Sequence, residues 1–257
     1  MIRAQDHGLV YYRFGELGSS GSPRHAFFTR LGGRSAPPFA SLNVGASVGD
    51  DPRAVEANRH LCYAALGLAE RQVVTCYQVH SSRVVPVTPA DGGRVIEATD
   101  GLCTDAEGLA LFLRFADCVP ILLYDPEHHA VALVHAGWKG TLAAIAVQAV
   151  RTMHEQYGSR PEAILAGVGP AIGPCCYEIG PDLAESFALR FGAQVLSHAT
   201  AGGLSLDLPA ANECALVEAG VRHIEHSGLC TACRVDEFFS HRQEGGRTGR
   251  LAALAVL

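Results

Sequence analysis

Residues 108–140 (GLALFLRFADCVPILLYDPEHHAVALVHAGWKG) constrain this chain more than any other stretch. Two apolar runs, residues 109–124 and 130–135, flank the connector Asp125-Pro126-Glu127-His128. Strand-like runs across a short polar connector predict an antiparallel hairpin. With Pro126 and Glu127 at the tip, Asp125 faces His128, and the same register sets Cys118 opposite His135. Directly opposed residues have Cβ atoms about 5 Å apart, so a thiol and an imidazole would meet in mid-hairpin. A slip of one residue would put them on opposite faces, so the pairing depends on the turn length. Pro120 interrupts the first run and predicts a bulge or an edge. A thiol with an imidazole suits zinc or copper, and equally a nucleophile with its base.

The rest of the chain can support such a centre. Its 257 residues, 48% of them hydrophobic, suffice for one sizeable core that needs no covalent staple. Net charge is −6 and no basic run or aromatic-basic interleaving occurs, which argues against a nucleic-acid partner. The N-terminal residues lack a charged-then-apolar signal pattern, and no apolar run reaches the ~18 residues of a membrane span. A cytoplasmic, monomeric protein with no membrane partner is expected. Nine cysteines in such a chain argue for reduced thiols over a disulfide framework.

Residues 10–14 and 26–29 read as strands around a Gly/Ser/Pro loop at 18–23. A helix opens at Asp51-Pro52, an N-cap followed by a proline suited to the first turn, and stops at Gly67. Residues 73–87 read as one strand carrying Gln78 and His80, and 98–105 as another. Apolar spacing predicts a helix over 141–157, and proline-opened helices over 181–191 and 209–219. Residues 163–168, 222–226 and 251–257 are strand-like, and 169–180 (GPAIGPCCYEIG) is a shaped loop. Adjacent strands without intervening helices favour α+β: a single layered domain over residues 1–257, with mixed and antiparallel sheets flanked by helices.

Several dispersed segments carry a more specific signal. Gln78-Val79-His80-Ser81, Ala98-Thr99-Asp100-Gly101, Ala116-Asp117-Cys118-Val119-Pro120, His135-Ala136-Gly137-Trp138, and the stretches 169–173, 175–179 and 239–242 resemble the YfiH-like family. So do residues 29–33 and 41–45 and the Asn58-Arg59 pair. Members of that family were labelled multicopper polyphenol oxidases or laccase-domain proteins and are described as purine nucleoside phosphorylases. The resemblance implies a zinc ion held by His80, Cys118 and His135, with copper as the alternative. It implies phosphorolysis of adenosine, inosine and methylthioadenosine, deamination of adenosine, and a fold similar to that of a bacterial toxin deamidase. Lys139 stands where arginine is common in the family, and His241 where an aromatic residue precedes Arg242.

Three protein ligands leave the fourth position of zinc open, as in catalytic sites. Deamination then needs a carboxylate to shuttle a proton. Glu178 is preferred to Asp117, which in a regular strand faces away from Cys118. Phosphorolysis needs a held phosphate, for which Arg59 and Arg242 are the candidates, with Asn43 and Gln78 as neutral partners. Backbone N–H groups of 169–173 could add to an anion site or simply form a tight turn. Cys230-x-x-Cys233 lacks a second pair at zinc-finger spacing, and vicinal Cys175 and Cys176 read as a packed loop. His128-His129 reads as solvated. Competing readings are a metal-independent cysteine hydrolase using Cys118 and His135, a copper-dependent oxidase, and a binding protein without turnover. Multicopper centres use grouped His-x-His ligands, and the sequence has no such pair.

Overall fold

Apolar runs that bury both their faces stack two sheets against each other. The computed structural model describes residues 1–15, 17, 23–198 and 202–257; most of the loop expected at 18–23 lies outside the described residues. A seven-stranded sheet runs, edge to edge, Ile2–Asp6, Leu9–Arg13, Arg24–Phe28, Leu251–Val256, Ala110–Phe115, Val73–Cys76 and Val95–Ile96. A six-stranded sheet runs His223–His226, Leu165–Val168, Val119–Asp125, Ala130–Ala136, Gly101–Thr104 and Val84–Pro86. Each mixes parallel with antiparallel pairs, as the α+β expectation requires.

Alternation along each strand divides the core. Leu111 and Leu113 meet Leu122, Tyr124, Val131 and Leu133 between the sheets. Ala110 and Phe112, on the opposite face, pack against Cys62 and Tyr63 of the helix Pro52–Ala65. Ile121, Leu123, Ala132 and Val134 pack against the helices Ile145–Tyr157, Pro181–Phe191 and Leu208–Glu218. The order is helix, sheet, sheet, helix. Strands covered on both faces carry nearly continuous apolar sequence, which is why the runs looked so uniform. Leu133 is fully buried between the sheets, and Leu133→Ala should cost about 2–5 kcal/mol.

Three expected elements divide where the backbone turns left-handed or leaves its sheet. Residues 109–124 are two strands in different sheets, separated at 116–118, where Asp117 has φ 80°. Residues 73–87 split into Val73–Cys76 and Val84–Pro86, also in different sheets. The helix expected at 141–157 breaks at Ala144, φ 59°, into Trp138–Leu142 and Ile145–Tyr157. Val73–Cys76 and Ala110–Phe115 are parallel neighbours, so the chain leaves the seven-stranded sheet twice from the same end. That end is where the candidate site forms.

Candidate functional site

The central hairpin pairs Asp125 with Ala130 and Pro120 with His135, so Cys118 does not face His135 directly. The connector holds four residues, with His129 in the left-handed region at φ 47°, where a tip of two was expected. Buried Asp125 accepts the Glu127 N–H at 2.8 Å and pairs with His128 Nδ1 at 2.8 Å, which stabilises the longer turn. The register is displaced by two residues. An even displacement preserves the face, so Cys118, just before its strand, still reaches the His135 side chain.

One carboxylate assembles the rest. Asp100 Oδ1 accepts the His80 N–H at 2.9 Å and meets His135 Nδ1 at 2.9 Å. Its Oδ2 accepts from Ser81 N at 2.6 Å and Ser81 Oγ at 2.8 Å. His80 thereby sits at φ 61°, in a loop that bends back over His135. The ligand atoms of His80, Cys118 and His135 all lie within 4.8 Å of one another. A Cβ at Gly137 would lie 2.8 Å from His80 Cδ2 and 3.0 Å from Cys118 Sγ, so only glycine lets the three converge. Asp100 was not among the expected site residues. Its position inside the 98–101 motif was the available signal.

The Cys118 thiolate and Asp100 outweigh one imidazolium charge, so a cation can enter by displacing the His135 proton. Burial alone would push the Cys118 thiol up, but the adjacent His135 and hydrogen bonds from both imidazoles bring it down to about 6. Burial disfavours the charge on His135, yet Cys118 and Asp100 raise it to about 9. For Asp100, burial is outweighed by hydrogen bonds from His135 and Ser81, which hold its carboxyl at about 2. A carboxylate on Nδ1 fixes the imidazole tautomer and directs Nε2 outward, as is usual for metal-ligating histidines. Two imidazoles and a thiolate fit zinc, and they fit copper by donor chemistry as well.

A cleft of about 710 Å³ opens over these residues, within the size range of small-molecule sites. Arg114, Arg242 and Arg250 line it, with Tyr77, Trp138 and Tyr177 as its aromatic wall and Asp117 as its carboxylate. Both Asp117 oxygens are engaged, by Thr231 Oγ at 2.7 Å and the Arg242 N–H at 2.7 Å. The left-handed backbone at Asp117 thus turns it towards the C-terminal segment. Gln78 lines the cleft, but its amide is spent on Arg114, donating to that residue's carbonyl at 2.8 Å and accepting its N–H at 3.1 Å.

The remaining expected contacts sit elsewhere. Asn43 is fully buried, accepting the N–H groups of Gly45 at 2.9 Å and Arg250 at 2.8 Å. It positions Arg250 and does not line the cleft. Arg59 donates from Nε to the Val44 carbonyl at 3.0 Å and is likewise absent from the lining. The Glu178 side chain is exposed and outside the lining, while its carbonyl accepts from Arg242 Nη1 at 2.7 Å. Arg114 and Arg250, which the sequence reading missed, come from a strand and from the segment before the last strand. A charged residue in an apolar run was the one visible signal for Arg114.

Fold and site together define a mixed α+β protein with a two-imidazole, one-thiolate group inside a cationic cleft. This chain belongs to the family described as multi-copper polyphenol oxidoreductase laccase, whose model matches residues 24–257. It is 39% identical over 237 residues to purine nucleoside phosphorylase YlmD of Geobacillus stearothermophilus, covering 88% of this chain and 86% of the relative. It is 42% identical over 234 residues to a purine nucleoside phosphorylase of Deinococcus radiodurans, covering 91% and 88%. The crystal structure of YlmD from Geobacillus stearothermophilus superposes with a TM-score of 0.92 at 36% identity, over 99% of this chain and 98% of the other. That of the Bacillus licheniformis hypothetical protein YfiH gives 0.90 at 36% identity, over 98% and 97%. Among the described residues, no helix is long and apolar enough to cross a membrane.

Proposed function

We propose that this chain is a zinc-dependent purine nucleoside phosphorylase. It converts adenosine, inosine or methylthioadenosine and phosphate into the free base and the sugar 1-phosphate, and it also deaminates adenosine. For deamination Asp117, the carboxylate on the cleft lining, is the proton shuttle in place of the exposed Glu178. The observation that carries the reading is one cleft joining three arginines, an aromatic wall and the His80–Cys118–His135 group. The names of the relatives support the phosphorolytic half.

His80, Cys118 and His135 would hold the zinc, which supplies a Lewis acid with a position open to substrate. Arg242 and Arg250 hold the phosphate, because planar guanidinium groups pair bidentately with its oxygens. Asn43 keeps Arg250 in place, and the Glu178 carbonyl does the same for Arg242. Tyr77 and Trp138, both partly exposed, flank the purine. His241 lines the cleft outside the ligand group and donates the proton to the departing base. Zinc is preferred to copper because phosphorolysis and deamination need a Lewis acid and no redox metal, and three protein ligands with a fourth position open are the pattern of catalytic zinc sites.

A second reading rests on the lowered Cys118 thiol. With His135 as base and Asp100 as orienting group, these residues have the arrangement of a cysteine nucleophile site. Product analysis separates the two. The phosphorylase reading requires free adenine and ribose 1-phosphate from adenosine plus phosphate, lost on chelation and restored by zinc. Neither base nor inosine appearing would sink it, and alkylation of Cys118 that blocks a chelator-insensitive hydrolysis would establish the alternative.

A further inference from the structure

A second cluster of sulfur atoms lies on the loops behind the cleft wall. Cys175 and Cys176 come from the 169–180 loop, and Cys230 and Cys233 from the segment after the strand His223–His226. The sequence offers neither pair a partner. The fold joins them through a bridge between Ala171 and Cys230, in which Thr231 N–H donates to the Ala171 carbonyl at 3.0 Å. All four Sγ atoms then lie within 4.8 Å of one another.

The spacing is that of a shared centre. Cys233 Sγ is 3.4 Å from Cys175 Sγ and 3.4 Å from Cys176 Sγ, so it favours neither as a disulfide partner. A disulfide would need about 2.05 Å. Four thiolates around tetrahedral zinc, at Zn–S of about 2.3 Å, stand about 3.8 Å apart. The Gly173 N–H donates to Cys230 Sγ at 3.2 Å, a backbone contact suited to thiolate charge.

We propose that Cys175, Cys176, Cys230 and Cys233 bind a structural zinc ion, distinct from any metal on His80, Cys118 and His135. With four protein ligands the site is closed to substrate. Its place in the fold gives it a task. Tyr177 follows Cys176 directly, and the Arg242 guanidinium lies 4.9 Å over the Tyr177 ring. Both residues line the cleft, so the ion ties together the two loops that form that wall. Binding displaces the thiol protons to solvent, and no redox step is involved.

The test is metal content by inductively coupled plasma mass spectrometry on protein purified without added metal. Wild type should carry two zinc ions per chain, one for each cluster. The Cys175→Ser/Cys233→Ser variant and the His80→Ala/His135→Ala variant should each lose one. Zinc X-ray absorption on the histidine variant should show a sulfur-only shell, and this reading does not depend on the serine variant folding. A histidine variant without zinc, a shell containing nitrogen, iron in place of zinc, or an intact mass showing these cysteines as disulfides would each overturn the site. Wild type holding one zinc in a sulfur-only shell would uphold this site and defeat the metal reading of the cleft.

Discussion

Two clusters of soft ligands stand in one chain, and they differ in how they are held. His80, Cys118 and His135 offer three donors facing a cleft, and one buried carboxylate positions the two histidines. Cys175, Cys176, Cys230 and Cys233 offer four, held by backbone pairing between two loops, with two of the four exposed. Donor count separates the roles: three protein ligands leave a place for a guest, and four do not. Orientation separates them as well. A centre open to a guest needs a fixed tautomer, which Asp100 gives His135, whereas a closed centre needs only converging sulfurs.

The contrast can be broken most severely at a cleft ligand. Cys118→Ala should reduce phosphorolysis by more than about 100-fold, the upper end for losing a group that merely orients a ligand. It should leave the zinc of the four-cysteine cluster in place, as metal analysis would show; equal loss from both would erase the distinction. Asp100→Asn comes next, with an expected fall of about 10–100-fold in activity or metal affinity, checked by zinc titration alongside kinetics. Arg242→Gln should raise the KM for phosphate about 10-fold, worth ~1.4 kcal/mol, with a smaller change for nucleoside. An equal change for both substrates would move Arg242 from phosphate to general positioning.

The smallest effect concerns a histidine that serves structure alone. Buried His25 accepts the Phe14 N–H on Nε2 at 2.9 Å, while its Nδ1 meets the Pro23 carbonyl at 2.9 Å, an arrangement suited to the neutral ring. Burial holds its pKa below the ordinary 6.5. The unfolded chain therefore binds this proton more readily, and stability rises with pH. His25's contribution is complete above pH 6.5 and is lost as pH falls through the lowered value. His25→Asn should flatten that part of a Tm-versus-pH curve. His135 is driven the opposite way by Cys118 and Asp100, which separates an imidazole packed among apolar groups from one set between a thiol and a carboxylate.

The hairpin, the capped helix at Asp51-Pro52 and the helix Pro181–Phe191 were legible because local signals suffice for them. Asp51 accepts the Arg53 N–H at 3.0 Å, as an N-cap should. The places where the structure departs from local expectation have separate causes. The run 109–124 keeps its apolar character across a change of sheet, since both of its strands are buried on both faces, while in 73–87 the alternation on either side hides the polar turn at 77–83. The register slipped by two because a four-residue connector and a two-residue tip share the same turn-forming residues. Among the expected substrate contacts, Asn43 and Arg59 are fixed to backbone near the cleft, and their residue types alone do not reveal which partners claim them.

The sequence by itself determined the α+β class, the apolar runs and the donors available to a cation, because periodicity and side-chain chemistry are local properties. Only the tertiary structure decided which donors meet. His80 reaches His135 through Asp100, and two cysteine pairs with no partner in their own segments close on each other. Such convergence depends on long-range pairing and on left-handed backbone at His80 and Asp117, and neither is written in the spacing of residues along the chain.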